Sequence, residues 1–213
     1  MESRMEKILA KQDKRIELKV YSGHFATPSS HISHYFDMTT IKSRASEARA
    51  AAYVLSQRYS HTTIVDTIVC LDGTQVIGAY LAEELAHTGI MSMNRHNTIY
   101  ITGPELIGSG QVIFRDNCKM MIENKNVLIL TASATTGQLL QNCMDSIGYY
   151  GGRIAGISSV FSNITQLSGI EINTIFRQED VPAYKSYAPG NCELCKNHVK
   201  LDALVNGFGH SRL

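Results

Sequence analysis

Two stretches of the chain share one build. Ile68-Val-Cys-Leu-Asp-Gly-Thr-Gln-Val-Ile-Gly78 and Val127-Leu-Ile-Leu-Thr-Ala-Ser-Ala-Thr-Thr-Gly137 each run from a short apolar segment through small or hydroxylated residues toward a helical pattern. An apolar run this short, ended by a turn, reads as a strand buried on both faces. After the first run, Val76, Ile77, Tyr80, Leu81 and Leu85 share one helical face; after the second, Leu139, Leu140, Cys143, Met144 and Ile147 do. From Ser43, Ala45, Ala48, Ala52, Leu55 and Tyr59 recur at helical spacing and predict an amphipathic helix ahead of the Ile64–Leu71 strand. Asn97–Ile101, Gln111–Phe114, Val127–Leu130, Arg153–Phe161 and Glu171–Phe176 are further strand candidates. Strands alternating with helices form βαβ units, so the expected class is α/β with a central, mostly parallel sheet flanked by helices.

The rest of the chain sets limits. Residues 2–19 are expected to form a charged N-terminal helix, and the Ser/His/Thr-rich residues 22–34 loops or a hairpin. With 213 residues, the chain fits a single domain at about 150 residues per domain. Its expected parts are an N-terminal helix and hood over 1–42, an α/β core over 43–180 and a tail with Cys-x-x-Cys over 181–213. The 20 basic and 19 acidic residues leave a net charge of +1, so no overall field draws the protein to nucleic acid or an anionic membrane. The charged N-terminus lacks the apolar core of a signal peptide, and the uncharged stretch Val127–Met144 carries too many Thr, Ser, Gln and Asn residues to span a bilayer. Five cysteines without a secretory leader point to reduced thiols and a cytoplasmic location.

In open α/β sheets, ligands sit at the carboxyl ends of the strands. Small residues from Thr131 to Gly137 let backbone N–H groups approach an anion at a helix N-terminus, where Thr135 and Thr136 add hydroxyls. No Gly-Lys-Ser/Thr follows, so this is not a Walker loop, and plain helix capping is the alternative. Asp72 alone reads as a turn residue, but two such loops on one sheet favour a ligand site. Gly108-Ser-Gly110 lacks a third glycine and precedes the strand-like Val112-Ile-Phe, which argues against a dinucleotide fingerprint. Cys192-x-x-Cys195 with His198 offers three zinc ligands where a structural site needs four; His210 or a partner subunit is a source of the fourth, and free thiols are the alternative. His31-x-x-His34 reads as ordinary polar histidines, and Cys70 and Cys143 as inert core thiols.

The block Val127-Leu-Ile-Leu-Thr-Ala-Ser-Ala-Thr-Thr-Gly-Gln-Leu-Leu-Gln141 resembles the signature of the type I phosphoribosyltransferases, closest to orotate phosphoribosyltransferase. Residues 25–38 are similar to that enzyme's base-binding hairpin, 65–85 to its pyrophosphate-loop strand and helix, and 191–196 to a tail of some members. The resemblance implies a 5′-phosphate cradle at Ser133, Ala134, Thr135, Thr136, Gly137 and Gln138, and ribose or pyrophosphate contacts at Thr131, Asp72, Gly73, Thr74 and Gln75. It further implies base contacts at Tyr35 and Phe36, a homodimer, and Mg2+ acting with phosphoribosyl pyrophosphate.

The departures fall on the chemistry. The family's acidic pair stands here as Thr131 and Ala132, its base-contacting lysine as Pro28, and its later Asp-Arg pair as Ser162 and Asn163. The mobile loop, basic in the family, reads Gly103-Pro-Glu-Leu-Ile-Gly-Ser-Gly110, leaving Arg115 as the nearby cation. Losing fixed opposing charge at a developing oxocarbenium ion removes several kcal/mol, judging from single-donor deletions of about 3–4 kcal/mol. The implied function is therefore an orotate phosphoribosyltransferase-like protein of pyrimidine nucleotide synthesis with full, weak or lost activity. The alternatives are a non-catalytic ribose-phosphate or nucleotide-binding regulator and an interaction protein using only the scaffold.

Overall fold

Apolar runs, turn residues and glycines partition the chain into strands and helices in the order βββααβαβββ–βαβββ–βαββ. The computed structural model describes residues 2–87, 92–94, 98–108, 110–188 and 190–213. In chain order these are β1 (Met5–Leu9), β2 (Glu17–Ala26), β3 (His31–Asp37), α1 (Thr39–Ser43), α2 (Ala45–Ser56), β4 (Thr67–Cys70), α3 (Gln75–His87), β5 (Tyr100–Thr102), β6 (Glu105–Ile107) and β7 (Gln111–Ile113). There follow β8 (Asn126–Ala134), α4 (Gln138–Tyr149), β9 (Arg153–Ser162), β10 (Gln166–Leu167), β11 (Ile170–Arg177), β12 (Ser186–Tyr187), α5 (Glu193–Lys196), β13 (Ala203–Asn206) and β14 (Gly209–Arg212). The candidate strand start at Asn97 and the loop residue Ser109 lie outside the described residues.

The core sheet has the order β10-β11-β9-β8-β4-β5, with β11, β9, β8, β4 and β5 mutually parallel and only β10 antiparallel. Alternation along the strands feeds two separate cores. Ile68, Cys70, Leu128, Leu130 and Ala132 pack with Ala48, Ala52 and Leu55 of α2 and Ile77, Leu81 and Leu85 of α3. Val69, Val127, Ile129 and Ala134 pack on the other face with Leu140, Cys143 and Ile147 of α4. Each fully buried Leu or Ile contributes about 1.5–3 kcal/mol of transfer free energy, so these two layers anchor the strand ends that carry the site.

A second sheet, β12-β3-β2-β13-β14 with β1 paired to β2, forms the hood. Its inner residues Leu18, Val20, Phe25 and Tyr35, with Ile16 just ahead of β2, belong to the same core as α2 and α3. The C-terminal region is part of this hood: β12 pairs with β3, and β13 runs parallel to β2 with Ala203 opposite Phe25.

Three expectations change. Residues 2–19 are not a helix: a 3-10 turn over Glu2–Arg4 leads into β1, which pairs antiparallel with β2 from Met5↔Tyr21 to Leu9↔Glu17. The reason is visible in Ile16, Leu18 and Val20, buried at every second position, and in Asp13, whose carboxylate accepts the Arg15 N–H at 2.9 Å and fixes the turn between the strands. The strand after Val127 extends through Ala134, so the loop proper is Thr135–Gly137. Within the expected loop 103–110, Glu105–Ile107 form the strand β6, which pairs with β7 as a hairpin of its own.

Candidate functional site

The parallel pairing of β4 with β8, Cys70 opposite Leu130, brings both of their following loops to one edge of the sheet. Gly137 closes the β8–α4 loop in the left-handed region at φ +75° and serves as N-cap of α4. A Cβ there would lie 3.1 Å from Leu167 Cδ1 and 3.2 Å from Ile164 Cδ1, so both conformation and space call for glycine. Thr136 Oγ1 accepts a long hydrogen bond from the Gln138 N–H at 3.4 Å. Ser133, Thr136 and Gln138 are exposed, Thr135 is half-buried, and Ala134 is buried. Exposed hydroxyls beside the first turn of a twelve-residue helix make a concentration of donors suited to an anion.

The opposing loop is built on strained backbone. Asp72 and Gly73 take φ +54° and +78° in succession. The buried Thr74 hydroxyl, 2.8 Å from Leu71 O and 3.1 Å from Leu130 O, pins the loop to β8. Across the gap, Thr131 Oγ1 donates to Asp72 Oδ2 at 2.6 Å. A carboxylate thus stands beside Thr131, supplied by the loop that follows the neighbouring strand β4. Gln75 is exposed at the start of α3.

Two contributors were not legible in the sequence. Lys42, in α1, donates from Nζ to Asp72 O at 2.9 Å and Gly207 O at 2.6 Å. Burial lowers the Lys42 pKa, while the Asp72 and Asp37 charges act to raise it. Gly207 sits in the turn between β13 and β14; a Cβ on it would come within 2.6 Å of Asp72 Oδ1. The C-terminal hairpin therefore rests on the Asp72 loop. Neither residue carries a local motif, and each reaches the site only through tertiary contact.

Other expected positions lie farther out. Tyr35 and Phe36 point to opposite sides of β3. Tyr35 is only 6% exposed, its ring 6.0 Å from those of Tyr21 and Phe25 and 5.2 Å from that of His210. Burial pushes its hydroxyl up to about 12. Tyr35 is thus a hood-core residue, as alternation along a half-buried strand dictates. Phe36 is half-buried against Phe161 at 4.2 Å and Tyr184 at 5.1 Å. Arg115 pairs with Glu105 at 2.6 Å, an exposed ion pair next to the β6–β7 hairpin. At the end of β9, the Ser162 hydroxyl donates to Ile164 O at 2.6 Å, and Asn163 Oδ1 is buried without a hydrogen-bond partner among the described residues. Cys70 and Cys143 are buried, and burial pushes both thiols up to about 12. An open groove of about 530 Å³ runs between Ala26–Pro28 and β13–β14, away from the Thr135–Gly137 loop.

The expected cysteine–histidine grouping changes partners. Cys192 and Cys195 converge with His24 and His31, the four ligand atoms lying within 4.8 Å of one another. His198 is exposed and outside this group; it closes the turn of α5 at φ +54°, with its N–H on Cys195 O at 3.0 Å. His210 lies against Tyr35 instead.

No protein-family model and no curated protein matches the chain. Solved structures do. An adenine phosphoribosyltransferase from Thermoanaerobacter pseudethanolicus is similar with a TM-score of 0.50 and 14% identity, over 83% of this chain and 96% of that one. A phosphoribosyltransferase from Corynebacterium diphtheriae is similar with a TM-score of 0.50 and 16% identity, over 70% and 86% of the two chains. The UMP synthase of Leishmania donovani is similar at a TM-score of 0.49 and 12% identity, and the match spans only 31% of that longer protein. At these identities the likeness shows the fold: a mixed α/β domain of the type I phosphoribosyltransferase kind.

Proposed function

We propose that this chain, built on the phosphoribosyltransferase fold, binds a 5′-phosphorylated ribose at Ser133–Gln138 and transfers its phosphoribosyl group weakly or not at all. The observation that carries this reading is the contrast at the end of β8. The Gly137-capped turn into α4 is kept, while Thr131 and Ala132, 1% and 5% exposed, bring no charge to the strand end. The surviving donors suit the ground-state phosphate; the missing acids are those that would steady charge in the transition state. A cytoplasmic, homodimeric regulator that senses a ribose phosphate or nucleotide is the setting that goes with this reading.

Calorimetric titration with ribose 5-phosphate and with phosphoribosyl pyrophosphate tests it. Thr136→Glu places a carboxylate in an exposed loop position without touching the core, and should weaken binding at least about tenfold through like-charge repulsion. Equal binding by wild type and variant would refute the placement.

A second reading, a working orotate-type transferase, draws on Asp72. Its carboxylate lies 2.6 Å from the Thr131 hydroxyl at the end of β8, and Lys42 adds a half-buried cation to the Asp72 loop. Mg2+ commonly binds through one or two carboxylates plus substrate phosphates, so Asp72 together with a diphosphate is a compatible donor set. This reading predicts base-dependent release of pyrophosphate that Asp72→Asn abolishes.

A further inference from the structure

We propose that His24, His31, Cys192 and Cys195 bind one zinc ion in a closed, four-ligand site that fastens the C-terminal segment to the hood. The ligand atoms come from both strands of the β2–β3 hairpin and from the Cys-x-x-Cys turn at α5, which is far from them in sequence. Cys192 Sγ lies 3.5 Å from His24 Nε2, Cys195 Sγ lies 3.6 Å from His24 Nε2 and 3.3 Å from His31 Nδ1, and the two imidazole nitrogens are 3.0 Å apart. A tetrahedron with Zn–S of about 2.3 Å and Zn–N of about 2.0–2.1 Å has edges of roughly 3.3–3.8 Å. The separations already approach that figure. Two thiolates and two imidazoles in tetrahedral array select zinc over magnesium or calcium, which prefer oxygen.

Independent features orient the ligands. His24 Nδ1 faces Val199 O at 2.8 Å, and a carbonyl only accepts, so Nδ1 carries the proton and Nε2 presents its lone pair to the group. A register shift between Ser22 and Phe25 lets His24 and Phe25, consecutive in β2, both be buried, which turns His24 out of the strand's alternation. Asp202 Oδ2 accepts the His24 N–H at 2.9 Å and is itself held by Arg4 at 3.2 Å. Four protein ligands leave no open position, so the ion's role is structural. The fastened segment continues into β13 and the Gly207 turn that rests on Asp72.

Metal analysis of the full chain, equilibrated with Zn2+ and passed through desalting, should find about one zinc per chain. Cys195→Ser, at an exposed position that the core does not need, should retain far less, with far-ultraviolet circular dichroism confirming the fold. His198→Ala and His210→Ala should keep the wild-type content. Replacement by Co2+ should give thiolate charge-transfer absorption and the visible bands of a four-coordinate ion. Less than about a tenth of a zinc per wild-type chain would overturn the proposal. So would retention in Cys195→Ser, loss in His198→Ala, or a six-coordinate cobalt spectrum.

Discussion

Single residues decide the chemistry at this sheet edge. Thr131→Val keeps the side-chain shape but removes the donor to Asp72 Oδ2. We expect a loss of about 1–2 kcal/mol, read as a lower denaturant midpoint with unchanged slope. Asp180 gives a pH handle. Burial raises its pKa, but the Lys11 ammonium at 2.7 Å and the Arg177 N–H at 2.9 Å outweigh that and hold it below the ordinary carboxylate value. A lowered folded-state pKa contributes stability above the unfolded value of about 3.9 and loses it as pH falls through the folded value. Asp180→Asn should therefore lower the melting temperature at pH 7, with wild type and variant converging in acid. Thr131, Ala132 and Asp72 could be singled out because they lie in contiguous motifs. Lys42, His24 and Gly207 could not, since each acquires its partner across 30 or more residues of chain.

At the level of elements, legibility followed burial. β4 and β8 are buried on both faces, and their continuous apolar runs marked them as parallel core strands. The helical faces of α2 and α4 were equally plain, because their buried residues recur at helical spacing. β1 was not: it shows a burial pattern with no fully buried residue, and its charges suit an exposed helix as well as a hood strand. β6 likewise has all three residues exposed, leaving no alternation to read. On the proposed function, the β8–α4 turn is the element that carries phosphate binding. Gly137→Ala should cost about 1–2 kcal/mol from the φ +75° backbone and also weaken ribose 5-phosphate binding, because the loop must open against Leu167 and Ile164. Calorimetric unfolding and titration of the same sample check both halves; unaltered stability and affinity would contradict the role given to this turn.

Across the whole molecule, the C-terminal segment links hood and site. Residues 203–212 extend the hood sheet through β13 and β14, and the turn between these strands contacts both Lys42 and Asp72. Truncation before Asn191 should therefore expose Phe25 and Tyr35, lower the melting temperature by several degrees and weaken ligand binding together. On the proposed function, the fold has kept a ribose-phosphate cradle while losing the charge that drives transfer. Phosphorus NMR of phosphoribosyl pyrophosphate with Mg2+, orotate and the protein tests it most directly. Broadened or shifted 5′-phosphate signals that return to their free positions with Thr136→Glu are expected, with little or no protein-dependent growth of free pyrophosphate. Sustained pyrophosphate release by the wild type, or signals unchanged by the protein, would contradict it.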